Sequence, residues 1–300
     1  MQAKKIDLND FRRSGEGANG ASYDCISNPE MMVKLYNADY PVDTIFTEQE
    51  VAAKVYSLGV PSPMPGELVT DGERYGIMFR RVAGKRSFAR ALADEPERVE
   101  EYSREFARLC KRLHSTECPK GMFPEAKDQF RTLLKADKVF SESEKKVVDD
   151  FIANAPDCTT ALHGDMHFGN ALTTLPLGAP KNTPHDVFFI DLGYFARGCP
   201  LFDMGMMMNI CLTADEEFRQ HDFHVTGELT KEVWKYFVDE YFFGPDRTAE
   251  RMFGPGQTFD TVNAAIEPYM ALKLLLVEFN IGVMPDNYVP LVRRIFGFDK

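Results

Sequence analysis

The sequence predicts an α+β protein of two lobes, a small strand-rich one over residues 1–84 and a larger, mainly helical one over 85–300. Three observations carry this expectation. Before Gly84 the apolar residues fall in short runs bounded by glycine and turn residues, as strands require. After it they recur every three or four residues, as in helices with one buried face. A chain of 300 residues, 44% hydrophobic and 12% aromatic, also holds enough apolar material for a substantial core.

In the first lobe, SGEGANGASYDCIS reads as a glycine loop running into a strand, NPE as a turn and MMVKLY as a second strand. TEQEVAAKVYSLG carries Glu48, Val51, Ala52, Val55 and Leu58 at helical spacing and stops at Gly59, before Pro61. RYGIMFRRV is the next strand, closed by Ala83 and Gly84, with a hinge near 80–86. Beyond it, Asp94 is the expected cap of a helix with Pro96 in its first turn and Val99, Tyr102, Phe106, Leu109 and Leu113 as its apolar stripe. Ser141 and Glu144 predict a capping box before KKVVDDFI. ALTTL and DVFFID are short strands joined by PLGAPKNTPH, and from about residue 201 the chain reads as mostly helical, with a break at Gly254 and Pro255.

Composition excludes several function classes. The 35 basic and 46 acidic residues give a net charge of −11, and no basic run tracks a phosphate backbone, so nucleic acid is not an expected partner. No apolar leader or membrane-length apolar run is present, which points to a cytoplasmic protein with no membrane partner. The six cysteines show neither CxxC pairing nor zinc-like histidine spacing and read as reduced thiols.

Gly15, Gly17 and Gly20 form a GxGxxG. A dinucleotide fingerprint would follow a strand and open a helix; here the glycines lead into a strand whose hairpin partner carries Lys34, which suits a lid over phosphates, with an ordinary glycine turn as the plainer alternative. Lys34 stands in an otherwise apolar strand, where an ammonium is costly to bury unless an anion meets it. Alternation alone serves equally an outward lysine with Val33 and Leu35 inward. Glu48, on the apolar stripe of the next helix, is its natural partner, whereas Glu50 shares a solvated stripe with Ala53, Lys54 and Ser57.

In LHGDMHFGN, Asp165 and Asn170 lie five residues apart on a tight loop. They can supply an acceptor for a hydroxyl proton and a neutral oxygen ligand for a hard cation, and Asp191, ending VFFID, adds a carboxylate that can share that cation. His163 reads as packed; His167 reads equally as a group near substrate or a solvated loop residue. Trp234, Phe237 and Tyr241, near Asp239 and Glu240, are either a cation-binding wall or a core stripe.

HGDMHFGN followed by IDLG resembles the catalytic loop and metal-binding strand of the aminoglycoside phosphotransferase and choline kinase-like superfamily, a branch of the protein kinase-like fold. The glycine loop, VKLY, the Glu48 helix, MFRRVAGKRSF, CKRLH and DLGYFARGCPLFDMG occur in the expected order over most of the chain. The resemblance implies a two-lobed kinase fold, ATP and Mg2+ as cofactors, and γ-phosphoryl transfer to a hydroxyl of a small-molecule acceptor: aminoglycoside, aminosugar, sugar or amino alcohol. It implies Asp165 as catalytic base or hydroxyl orienter, Asn170 and Asp191 as magnesium ligands, and Lys34 on the phosphates with Glu48 as partner. The glycine loop would cover the phosphates, and backbone groups of Arg80, Arg81 and Val82 would meet the adenine. Asp203 would brace the catalytic loop, and His114 would be a packed helix-end histidine. Arg80 and Arg81 depart from the acidic residue that relatives often carry in the linker. A protein Ser/Thr kinase is the first alternative. It is disfavoured by Gly164, where such kinases usually have arginine, and by the short Asp191–Asp203 interval without an APE-like close. A nucleotide-binding pseudokinase scaffold is the second, disfavoured by the intact Lys34, Asp165, Asn170 and Asp191.

Overall fold

The computed structural model describes residues 3–17, 19–281 and 285–298. The chain divides into two compact units: one is the chain up to Arg86 together with Ala171–Gly193, the other Ser87–Asn170 and the chain from Tyr194 onward. The class is α+β as expected, with the sheet in the first unit and most of the helix in the second.

The first unit is built on six strands, Lys4–Lys5 (β1), Phe11–Gly17 (β2), Gly20–Cys25 (β3), Met31–Tyr36 (β4), Pro65–Thr70 (β5) and Tyr75–Arg80 (β6), in spatial order β1-β5-β6-β4-β3-β2. Helix Val42–Ser57 (α1) packs on β5 and β6. Strand β4 is buried on both faces. Val33 and Leu35 join Val69, Ile6, Leu8 and Phe11 on one side, and Tyr36 joins Ile45, Leu68 and Ile77 on the other. This double burial is why alternation could not orient Lys34: neither face of the strand is the solvated one. The stretch read as a glycine loop is a hairpin, with β2 continuing to Gly17 and Gly17 registered opposite Gly20; Ala18 lies outside the described residues. Helix α1 begins at Val42, ahead of the TEQE start, because Pro41 occupies the cap position, Asp43 the first turn, and Ile45 is buried. Strand β5 went unread in the sequence. Its register shifts between Pro65 and Leu68, and that irregularity interrupts the period-two signal. A short antiparallel pair, Ala171–Thr173 with Val187–Phe189, completes the unit, and Phe189 N donates to Pro61 O at 2.8 Å.

The second unit contains Phe88–Asp94 (α2), Val99–His114 (α3), Ala126–Ala136 (α4), Glu142–Asn154 (α5), Leu201–Met208 (α6), Glu216–Phe218 (α7), Gly227–Phe243 (α8), Thr248–Phe253 (α9), Phe259–Ile281 (α10) and Pro285–Phe296 (α11). Helix α3 packs on α8, and α10 packs on α4, α6 and α11. One expectation is corrected here: Asp94 is not the cap of α3. It is the last residue of α2, paired with Arg90, while Ser87 caps that helix through Arg90 N; Pro96 opens a 3-10 turn and α3 starts at Val99. The stripe itself is correct, with Tyr102, Phe106, Leu109 and Leu113 all buried. The capping box forms: Ser141 Oγ accepts from Glu144 N, and Glu144 Oε2 from Ser141 N at 2.7 Å, an arrangement that stabilises a helix start by about 1 kcal/mol. Strands Thr160–Leu162 and Ala196–Gly198 pair antiparallel. Both were missed because three residues carry too little periodicity to read. Among the described residues no helix is long and apolar enough to cross a membrane.

Candidate active site

The first unit holds a cavity of about 290 Å3. Its walls include Met32, Ala52, Phe79, Leu172 and Phe189, an apolar slot suited to a flat base, and its polar end carries Lys34, Glu48 and Asp191. Lys34 Nζ donates to Glu48 Oε1 at 3.1 Å and to Asp191 Oδ1 at 2.6 Å, and lies 4.8 Å from the Tyr36 ring centroid. Burial on its own would lower the lysine pKa, but the Asp191 and Glu48 carboxylates outweigh it and hold the group above its ordinary value. An ammonium so held stays charged and faces the cavity, as an anion-binding group must. Glu50 is exposed on the other face of α1. Asp191 adopts φ 55°, in the left-handed region that costs a non-glycine residue conformational energy, so its side chain is aimed by a backbone that the surrounding structure must hold.

Among the three glycines, Gly20 lines the cavity, beside Asn19, Ala21 and Ser22. A Cβ there would collide with the Leu35 carbonyl, so the close approach of β3 to β4 requires glycine. Gly15 and Gly17 belong to β2. Of the linker residues, Val82 lines the cavity. The amides of Arg80 and Arg81 are already engaged, donating to Met64 O at 2.8 Å and Glu30 O at 2.6 Å, and the Arg81 side chain pairs with Asp24 at 2.8 Å. Those two N–H groups therefore have no donor left for a base edge.

Lys34→Met is expected to weaken ATP use by at least tenfold with an unchanged melting temperature, Glu48→Gln to act in the same direction more mildly, and Glu50→Gln to be silent. Nucleotide titration with parallel thermal melts checks the order; a silent Glu48→Gln beside a damaging Glu50→Gln would overturn it.

In the second unit, strand Thr160–Leu162 delivers the chain into His163, Gly164 and Asp165, and a 3-10 turn follows at Phe168–Asn170. The backbone of this loop is held from α6. Fully buried Asp203 accepts from His163 N at 2.7 Å and Gly164 N at 2.9 Å, and contacts His114 Nε2 at 3.0 Å, while His114 Nδ1 meets Tyr241 OH at 2.7 Å. Burial alone would push the Asp203 pKa up; the His114 hydrogen bond, with His114, Lys273 and His163 charge, keeps it below the ordinary value. Gly164 has φ 82°, and a Cβ there would run into the Tyr194 carbonyl. No side chain fits, which is the physical reason arginine is absent at that position.

Asn170 Nδ2 donates to Asp165 O and to Asp165 Oδ2, each at 3.0 Å, which leaves its carboxamide oxygen as the atom it can offer a cation. Burial would raise the Asp165 pKa, but His167, His163 and Lys273 outweigh it and hold the carboxyl well below the usual carboxylate range. His163 is fully buried, and its Nδ1 accepts from Asp165 N at 3.3 Å, as a packed, backbone-bonding histidine. His167 Nε2 is 3.7 Å from Asp165 Oδ2, its Nδ1 accepts from Gly169 N at 3.1 Å, and its ring stands edge-on to Phe223. It is a loop staple with one nitrogen towards Asp165. The Trp234 wall is core: Trp234, Phe237 and Tyr241 are buried and stacked in series, and Asp239 and Glu240 pair with Arg104.

Lys273 escaped the sequence reading. It is a buried lysine on α10 whose ammonium donates to Gly164 O, the carbonyl just before Asp165. Burial lowers its pKa, and Asp203 and Asp165 oppose that. The signal was present: one cation inside YMALKLLLV must find a partner if that helix face is buried. Lys273→Met keeps the volume and is expected to reduce turnover roughly 10- to 100-fold with little change in nucleotide affinity. Removing the positive charge also raises the Asp165 pKa, so the acid limb of the pH–rate profile moves to higher pH; an unmoved limb and unchanged turnover would make Lys273 a packing residue only.

A family model described as a phosphotransferase enzyme family matches residues 10–237. The chain belongs to this phosphotransferase family. Solved structures agree on the fold. An aminoglycoside-3′-phosphotransferase of type VIII superposes with TM-score 0.56 at 16% identity, covering 89% of this chain and 94% of that one. A choline/ethanolamine kinase family protein from Mesorhizobium loti gives 0.50 at 16%, covering 96% and 85%. APH(2″)-IIa in ternary complex with streptomycin and ATP gives 0.50 at 19%, covering 91% and 86%. Comparison with curated protein sequences gives no match. The fold of this phosphotransferase-family chain is therefore protein kinase-like, and a kinase-type phosphotransferase acting on small molecules is the activity that family and fold support.

Proposed function

We propose that the protein transfers the γ-phosphoryl group of ATP to a hydroxyl of a small molecule of the aminoglycoside, aminosugar, sugar or amino alcohol class. The observation that carries this is Lys34, held charged between Glu48 and Asp191 in a cavity lined in large part by apolar side chains. An ATP-bound neighbour of the same fold supports the choice of nucleotide. In this reading the apolar slot takes the base, the backbone near Gly20 covers the phosphates, and Lys34 contacts their oxygens. Asn170 offers its carboxamide oxygen and Asp191 its carboxylate as magnesium ligands, each a hard oxygen donor suited to a cation that completes its shell with phosphate and water. Magnesium, when bound, neutralises charge on the phosphate oxygens. Asp165, ionised throughout the physiological range, accepts a hydrogen bond from the acceptor hydroxyl and orients it. So weak a base takes the proton late, as the electron demand of a loose phosphoryl-transfer transition state allows.

Calorimetric titration with ATP in magnesium and in chelator tests the cofactor assignment. Affinity that is at least tenfold tighter with magnesium is expected; equal affinity in both would remove magnesium from the site.

A further inference from the structure

The paired strands that lead into and away from the catalytic loop end beside two cysteines that play no part in phosphoryl transfer. Thr160–Leu162 and Ala196–Gly198 pair with Gly198 opposite Thr160. Cys158 precedes the first strand by two residues, and Cys199 directly follows the second. Both residues line one small surface cavity of about 90 Å3, together with Lys127, Asp157 and Arg197. All six cysteines are free, but they are not equivalent. Cys110, Cys118 and Cys211 are buried, and burial pushes their thiols up. Cys158 is half-buried, and the neighbouring Cys199 thiol brings its own thiol down to about 7, against the opposing effects of burial and the Asp157 charge. Lys127 is held in place by an ion pair with Asp157 at 2.6 Å. A partly exposed, acidified thiol that shares a cavity with a second cysteine at the adjoining ends of two paired strands is the arrangement of a redox-sensitive cysteine and its resolving partner.

We propose that Cys158 and Cys199 form a site of reversible oxidation, in which a hydroperoxide converts the thiol pair to an intramolecular disulfide across the base of the catalytic loop. The Cys158 thiolate attacks a peroxide oxygen and the O–O bond breaks. The products are a sulfenic acid on Cys158 and hydroxide, which takes a proton and leaves as water (as an alcohol from an alkyl hydroperoxide). The Cys199 sulfur then attacks the Cys158 sulfur. The S–S bond forms, the S–O bond breaks, and the departing hydroxide takes the Cys199 proton to leave as water. The two thiols together lose two electrons, and the peroxide gains them. An external dithiol reverses the step by thiol–disulfide exchange.

The test uses the folded full chain with hydrogen peroxide near neutral pH, followed by alkylation, digestion and mass mapping. The expected result is one cross-linked peptide joining Cys158 to Cys199, loss of two alkylatable thiols, and recovery of both with dithiothreitol. Cys199→Ser is expected to stop the reaction at Cys158 sulfenic acid, captured by a dimedone-type probe, and Cys158→Ser to abolish both products while Cys110→Ser changes nothing. An unchanged thiol count, a cross-link between any other pair, or labelling of another cysteine ahead of Cys158 would overturn the proposal. The mapping on the unsubstituted protein decides the matter even if a variant fails to fold, and none of these readouts depends on kinase activity.

Discussion

Asp165→Asn is expected to lower turnover by roughly 10²- to 10⁴-fold while magnesium–ATP affinity stays near that of the unsubstituted protein. Asp165 is held by Asn170 and by the His163 and His167 rings, and the carboxylate it presents is kept ionised by those neighbours and Lys273. Asparagine is isosteric, so the loop keeps its shape, but it has no charge with which to orient a hydroxyl and take its proton. Phosphoryl transfer depends on positioning and charge neutralisation, so a group meeting only the acceptor contributes little to holding nucleotide. Asp191→Asn is expected to behave differently and lose affinity and turnover together. Its carboxylate contacts Lys34 at 2.6 Å, and it is the charged member of the proposed ligand pair. Nucleotide titration and single-turnover transfer on both variants separate the roles. If Asp165→Asn abolished nucleotide binding and Asp191→Asn preserved it, the two assignments would be exchanged.

Asp203→Ala is expected to destabilise the fold by about 3–5 kcal/mol, the scale for removing one partner from a buried charged network. Three donors lose their acceptor at once: His163 N, Gly164 N and the ring of His114. The pH dependence gives a second signature. The folded pKa of Asp203 lies below its ordinary 3.8, so the carboxylate contributes stability that is present above about pH 4 and is lost as pH falls through the folded value. The variant should therefore show a shallower loss of stability in acid than the unsubstituted protein. Denaturant unfolding at neutral pH and at pH 3 measures both quantities. Equal slopes with a small change at neutral pH would mean that Asp203 does not hold the loop.

The parts of this protein legible in its sequence are those where one residue type has one physical use. A lone lysine in an apolar strand restricts the chemistry, and the Lys34–Glu48 ion pair followed from asking which carboxylate lay on a buried stripe; the GxGxxG glycines, expected as a loop ahead of a strand, lie within the β2–β3 hairpin instead. Short strands were lost because Thr160–Leu162 and Ala196–Gly198 exist through pairing with each other rather than through local propensity. Asp94 looked like a cap because a proline follows it two residues on, but the chain uses that proline to open a 3-10 turn between two helices. Lys273 was readable in principle. What sequence could not supply was its partner, a backbone carbonyl 109 residues away. The linker arginines show the same limit, since whether an amide is free to meet a ligand depends on which carbonyl across the sheet has already claimed it.

Transfer of labelled γ-phosphate from ATP across a panel of aminoglycosides, aminosugars, sugars and amino alcohols, run in parallel with the unsubstituted protein and Asp165→Asn, tests the central claim most directly. The expected result is magnesium-dependent labelling of at least one hydroxyl-bearing small molecule by the unsubstituted protein, and its loss to near background in the variant at saturating ATP. Labelling of protein substrates alone, or equal transfer by both forms, would contradict it.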